Sequence, residues 1–149
     1  MFEFDESEFN KIELDEWLNP RIDHIVNNLS EKRMGERPKW LIKLHSRIGL
    51  IAEYALIKKY GYVENNADFG DVLTPKPALV PQEIKSRKNP DAELQNVIED
   101  MNQKKQWYPD TTPDEILYFG RKDKYYWLHS FLIWNEDKKT YVQDSINNV

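Results

Sequence analysis

The chain predicts an α/β domain in which a mixed central β-sheet is flanked by helices. Apolar residues recur at three- and four-residue spacing over 38–60 and again over 91–107, the period of an amphipathic helix. Short runs rich in Val, Ile, Leu, Tyr and Phe, bounded by Pro, Gly, Asn and Asp, read as strands. The order is helices, a strand hairpin, a helix, then strands.

The 149 residues fit one domain with a core of its own. We divide it into an acidic helical lead segment (1–37), a central core (38–134) and a tail (135–149). The absence of cysteine excludes disulfides, thiolate zinc sites and Cys nucleophiles. No stretch has the apolar length of a membrane span, and the N-terminus is acidic rather than signal-like, so the expectation is a cytoplasmic protein with no membrane partner.

Residues 1–19 read as a partly helical lead anchored by Phe2, Phe4, Phe9, Leu14, Trp17 and Leu18, with Asn19-Pro20 as a break. A second helix is expected over 21–34 and a break from Gly35 to Pro38. The next helix starts with Pro38 in its first turn, buries Trp40, Leu44, Ile48, Ile51 and Ala55, and ends at Gly61. A turn through Asn65-Asn66 and Phe69-Gly70 leads to a short strand, Asp71–Thr74. Ala78–Lys85 is the return strand, with Pro81 as an irregularity. Asp91–Trp107 is a helix with Leu94, Val97, Ile98 and Met101 on its apolar face. After a loop bracketed by Pro109 and Pro113, Glu115–Phe119 and Tyr125–Leu128 form two strands, and Phe131–Trp134 continues the apolar run.

The chemistry concentrates around the hairpin. Glu83 follows Asp71 by twelve residues, and Ile84-Lys85 completes a Glu-x-Lys triplet. On a strand, Glu83 and Lys85 share a face. Two carboxylates beside an ammonium group make a small divalent-cation site suited to phosphodiester hydrolysis. Mg²⁺ binds carboxylate oxygens and keeps several waters, and Asp71, Glu83 and the Ile84 main-chain carbonyl can supply its protein ligands. With no His or Cys cluster, Mg²⁺, or Mn²⁺ in its place, is expected rather than zinc. Lys85 either orients the attacking water or stabilises the charged transition state. Glu53 lies one turn from Gly49, Leu50, Leu56 and Ile57, off the polar face of its helix. It either reaches solvent past Gly49 or is aimed at the cation site. Asp68 is the competing first acid; Asp71 is preferred because it adjoins the apolar Val72-Leu73.

A helix glutamate, an aspartate at a strand start, Glu-x-Lys on the next strand and then a helix, here Glu53, Gly70-Asp71, Glu83-Ile84-Lys85 and 91–107, resemble the PD-(D/E)xK nuclease superfamily over residues 40–128. The family often carries Pro before its first acid, where this chain has Gly70. The resemblance implies a restriction-endonuclease-like core and a Mg²⁺-dependent DNA endonuclease of homing or restriction type. A junction resolvase, a phage recombination or repair nuclease, and a non-catalytic DNA-binding module on the same fold are the alternatives. It also implies catalytic roles for Asp71, Glu83, Lys85 and Glu53, and an accessory role for Gln103 on the following helix.

The net charge of −5 is unevenly spread. Residues 1–17 set seven acids against Lys11, so the rest of the chain is close to neutral and carries basic clusters. Ser86, Arg87 and Lys88, directly after the catalytic strand, and Lys104 and Lys105 are the candidate DNA contacts. His24, His45 and His129 lack ligand spacing and read as structural or surface residues. Cutting both strands of a duplex calls for a homodimer or higher homo-oligomer, with the aromatic-rich segments Phe2–Trp17 and Tyr125–Trp134 as assembly surfaces.

Overall fold

The computed structural model describes residues 2–28, 37–66 and 70–149. Among these, three helices flank a mixed sheet, as the sequence predicts. The elements run β1 (Glu3–Asp5), α1 (Lys11–Asn28), α2 (Lys39–Tyr60), β2 (Val63–Glu64), β3 (Val72–Leu73), β4 (Pro81–Arg87), α3 (Pro90–Trp107), β5 (Glu115–Lys122), β6 (Tyr125–Asn135) and β7 (Thr140–Asp144). The strand order is β1-β6-β5-β4-β3-β2, and β7 also pairs with β6. Among the described residues only β4 and β5 pair in parallel, with α3 as the connection between them. The other pairs are antiparallel.

Strand alternation divides the core into two layers. Ile84, Leu117 and Phe119 pack with α1 and α2. Ile116 and Tyr118 face the other way, onto Val97, Ile98 and Met101 of α3. No helix among the described residues is long and apolar enough to cross a membrane.

The lead segment departs from its expected form. Asn19-Pro20 does not end a helix, because α1 runs through it. A proline inside a helix costs about 3 kcal/mol. Against that, Leu14, Leu18, Ile22 and Val26 form one buried stripe across Pro20, and each such side chain contributes about 1.5–3 kcal/mol on burial. Pro20 itself is exposed, where a freed carbonyl can be hydrated. The end of the expected second helix, 29–34, lies outside the described residues.

In α2 the expected seam holds at Ile51 and Ala55 but not at Trp40 and Leu44, which are exposed. In the first two turns Ile42 is the residue that is buried. Gly61 closes the helix with a left-handed φ of 73°. Pro81 finds a place as the first residue of β4, where a strand tolerates proline. The segment after the core is not only a tail, since β7 pairs with β6 and buries Tyr141.

The aromatic segments expected to mediate assembly are largely internal. Phe4 is 1 % exposed and stacks on Tyr126 at 4.7 Å; Phe9 and Trp17 pack on Tyr54. The acidic residues of the lead neutralise α2. Glu6 and Asp15 reach Arg47 at 2.7 and 3.9 Å, and Glu8 reaches Lys59 at 2.9 Å.

One close approach fixes the β5–β6 hairpin. Gly120 lies opposite Trp127, and a Cβ added there would stand 2.3 Å from the indole. Gly120→Ala is therefore expected to displace the ring and destabilise the protein by about 1–3 kcal/mol, the usual cost of overpacking. Thermal melts of the two proteins check this; an unchanged melting temperature would show that the indole moves freely.

Candidate functional site

Strand β3 is only two residues long. Val72 pairs with Gln82 and Leu73 with Pro81. The pairing stops there, and among the described residues Asp71 has no strand partner of its own. The Asp71 N–H still donates to the Gln82 carbonyl at 2.9 Å. The next free donor on β4, the Ile84 N–H, goes to the Asp71 side chain instead: Oδ2 accepts it at 2.8 Å. In a strand, the N–H and C=O of one residue point to the same edge. The Ile84 carbonyl is therefore directed to the opening that β3 leaves.

Gly70 makes this approach possible. Its φ of 84° favours glycine, and an added Cβ would meet Pro113 at 2.8 Å and the Gln82 main chain at 3.2 Å. Asp71 is thus delivered to β4 by a backbone conformation that other residues adopt with strain. The competing acid, Asp68, lies outside the described residues.

Glu83 is 5 % exposed and points to the α3 layer. Its cationic partner is Lys104, whose Nζ lies 3.1 Å from both carboxylate oxygens. Lys104 was expected on DNA and is instead committed to the carboxylate, although its side chain keeps 43 % of its exposure. Glu83 and Lys85 share a face, on the strand residues that pair with Ile116 and Tyr118. Lys85 lies close enough to Asp71 to favour its charged form.

The carboxylates crowd one another. Burial, and then the charge of Glu83, raise the Asp71 pKa to about 6, against the opposing pull of the Ile84 amide, Lys85 and Lys104. Glu53 reaches the same place from α2. Burial, and then Asp71, raise its pKa to about 8; Arg21 opposes the rise, and Glu64 and Glu83 add to it. Arg21 ion-pairs with Glu64 and lies over the Trp17 ring at 3.9 Å. Of the two readings of Glu53, solvent-reaching or aimed at the carboxylates, its partners favour the second.

Other expected residues lie apart. Gln103 is exposed, one position off the stripe that carries Lys104. Lys105 is an internal brace rather than a phosphate contact: its side chain is 12 % exposed, pairs with Asp114 at 2.7 Å and donates to the Thr112 carbonyl at 2.8 Å. Arg87 donates to the Ser86 carbonyl at 2.8 Å and stands 3.9 Å from Glu93, while Lys88 is exposed. His129 bonds Asp91 and Ser130, each at 2.6 Å, in keeping with a structural role.

Two ion pairs of this neighbourhood escaped the sequence reading. Lys104 as the partner of Glu83 was signalled only by a lysine near the end of the helix after the motif. The Arg21–Glu64 pair gave no sequence signal, because its members are far apart in the chain and meet only through folding.

Among the described residues, no three His, Asp or Glu side chains form a group that could hold a metal ion. The donors gathered here are the Asp71 and Glu83 carboxylates and the Ile84 carbonyl. That set fits Mg²⁺, which binds through one or two carboxylates and completes its shell with water and phosphate.

The proton balance has a sign that can be tested. Unfolded, Glu53 releases its proton near 4.5; folded, near 8. Between these values the native state binds the extra proton, so stability is present at low pH and falls as pH rises through that window. Melting temperature should therefore drop between about pH 5 and 8.5, and Glu53→Gln, which mimics the protonated form, should flatten the drop. Parallel pH profiles for the two proteins would refute this assignment if their difference stayed constant.

In comparisons with known proteins, no family model, no curated protein and no solved structure matches the chain.

Proposed function

We propose that the protein is a Mg²⁺-dependent DNA endonuclease on a restriction-endonuclease-like core of the PD-(D/E)xK type. The observation that carries this reading is the Asp71 carboxylate held on the amide of Ile84, the residue between Glu83 and Lys85, and close enough to both of these, and to Glu53, to feel their charge, at the gap where β3 leaves β4. Ionisable groups gathered in a largely buried setting, with the Asp71 and Glu53 carboxyls pushed up in pKa, are costly for stability and typical of a working site.

Asp71, Glu83 and the Ile84 carbonyl would hold Mg²⁺. When bound, the ion supplies positive charge to the phosphate and makes a coordinated water more acidic. The chain's own groups do the rest. Lys85 donates to a non-bridging phosphate oxygen or to the attacking water, in either case where negative charge develops or a proton leaves. Lys104 holds the Glu83 carboxylate in one orientation. Glu53, protonated in the absence of a cation, becomes an additional anion once positive charge enters. Ser86, Arg87 and Lys88 continue β4 outward and can grip neighbouring phosphates. One site cuts one strand, so a double-strand break requires two copies.

Incubation with supercoiled plasmid tests the reading. Mg²⁺ or Mn²⁺ should give nicked and then linear DNA, and excess EDTA should abolish cutting. Full activity in chelator would sink the proposal. Lys85→Ala should fold normally, keep its DNA affinity and lose on the order of a hundredfold or more in rate. Normal cutting by that variant would leave Lys85 an ordinary surface residue.

Asp71→Asn should lose both cleavage and the rise in melting temperature that Mg²⁺ gives the wild type, because a ligand stabilises the native state it binds. Calorimetric titration with Mg²⁺ measures the same loss directly. Wild-type affinity in the Asn variant would move the cation site elsewhere.

A further inference from the structure

The C-terminal end of α3 bears on the kind of DNA this site takes, an inference that rests on the endonuclease reading. Trp107 and Tyr108 follow Lys104 by three and four residues. At the first of these spacings side chains on a helix are neighbours, so Trp107 stands on the same side of α3 as Lys104; Tyr108 is the first residue past the helix, with φ −131° and ψ 63°. The two residues are 64 % and 51 % exposed. Among the described residues, neither makes a contact with another ring.

The backbone beneath them is firmly braced. The Tyr108 N–H donates to the Lys104 carbonyl at 2.8 Å, and the Thr112 N–H to the Tyr108 carbonyl at 3.0 Å. Lys105 ties the Pro109 and Thr112 carbonyls together at 3.2 and 2.8 Å and pairs with Asp114. The Thr112 hydroxyl, fully buried, donates back to the Lys104 carbonyl at 3.3 Å. Two solvent-facing rings on a fixed backbone lose little freedom when a flat partner lies on them.

We propose that Trp107 and Tyr108 form a stacking shelf for unpaired DNA bases beside the scissile phosphate. Bases inside a duplex are already stacked on both faces; only an unpaired base has a face to offer an aromatic side chain. The half-exposed Lys104 stands between the shelf and the carboxylates, and its positive charge complements the backbone that would join a stacked base to the reacting phosphate. The substrate class is therefore DNA with a single-stranded segment next to the cut: an overhang, a flap, a gap or an opened junction arm. Stacking is tolerant of base identity, so the shelf selects structure rather than sequence.

Binding without cutting tests this. With the full chain in EDTA, fluorescence anisotropy compares a labelled oligothymidylate of about twenty nucleotides, a length ample for a stacking site, with a blunt duplex of equal length. The single strand should bind more tightly. Trp107→Ala should weaken it on the order of tenfold, the scale of one lost base–aromatic stack, and leave duplex binding unchanged; Trp107→Phe should restore most of the loss. Trp40→Ala is the control, since that exposed indole lies thirteen residues from Glu53 along α2, about 20 Å of helix. Absence of single-strand binding, unchanged binding by Trp107→Ala, or equal weakening on both DNAs would each overturn the shelf. Addition of Mg²⁺ to the same samples separates the two proposals. Trp107-dependent binding without cleavage overturns the nuclease reading and keeps the shelf, whereas cleavage with Trp107→Ala binding as wild type does the reverse.

Discussion

The arrangement of the site depends on one hydrogen bond, from the Ile84 amide to the Asp71 carboxylate. In a longer β3 that amide would pair with a main-chain carbonyl. Here β3 stops, and a side chain takes the rung. The exchange satisfies a half-buried donor, which would be costly to leave unpaired, and ties a carboxylate to a rigid strand. It also brings Asp71 against Glu83, and with it the electrostatic strain that reaches Glu53. The fold accepts this strain because α2 and α3 are anchored by their own apolar faces, on opposite sides of the sheet.

The central part of this architecture was legible in the sequence because it is local. The helical period over 39–60 and 90–107, the turn glycine at 61 and the Ile-, Leu- and aromatic-rich runs of β5 and β6 each state their structure within a few residues. Asp71, Glu83 and Lys85 could be picked out because their spacing needs only a hairpin to bring them together. What remained hidden depends on distant partners. Three-residue β1 exists because Phe4 finds Tyr126, and two-residue β2 because Val63 and Glu64 meet β3. Strand β7 sits in a polar stretch and is held by its pairing with β6 and by one buried ring, Tyr141, whose hydroxyl donates to the Pro113 carbonyl. Pro20 read as a break because the local rule is sound; four buried aliphatics override it. Lys104 read as a surface cation because nothing in its own segment reveals that Glu83 lies across from it.

The acidic lead gains a physical role from the same contacts. In the sequence it is a run of seven acids against one lysine. In the fold three of its acids, Glu6, Glu8 and Asp15, pair with Arg47 and Lys59 of α2, and the bare count of net charge loses some of its meaning. What an approaching anion would meet at β4 and α3 is a local field, where Lys85 and Lys104 stand among carboxylates. Protonation of Glu53 and Asp71 makes that field more positive.

The placing of β1 and β7 side by side along β6 has a consequence for how copies of this chain can meet. On that side the sheet ends in strands of three and five residues, and on the other in a strand of two. Short outer strands are poor templates for backbone pairing between molecules. Two copies would therefore join through side-chain surfaces of helices and loops, not by extending one sheet into the next. In such an assembly the distance between the two copies of the Asp71–Glu83 site is set by how helices dock; under the proposed endonuclease function, the spacing of paired breaks along a duplex would be a readout of helix packing.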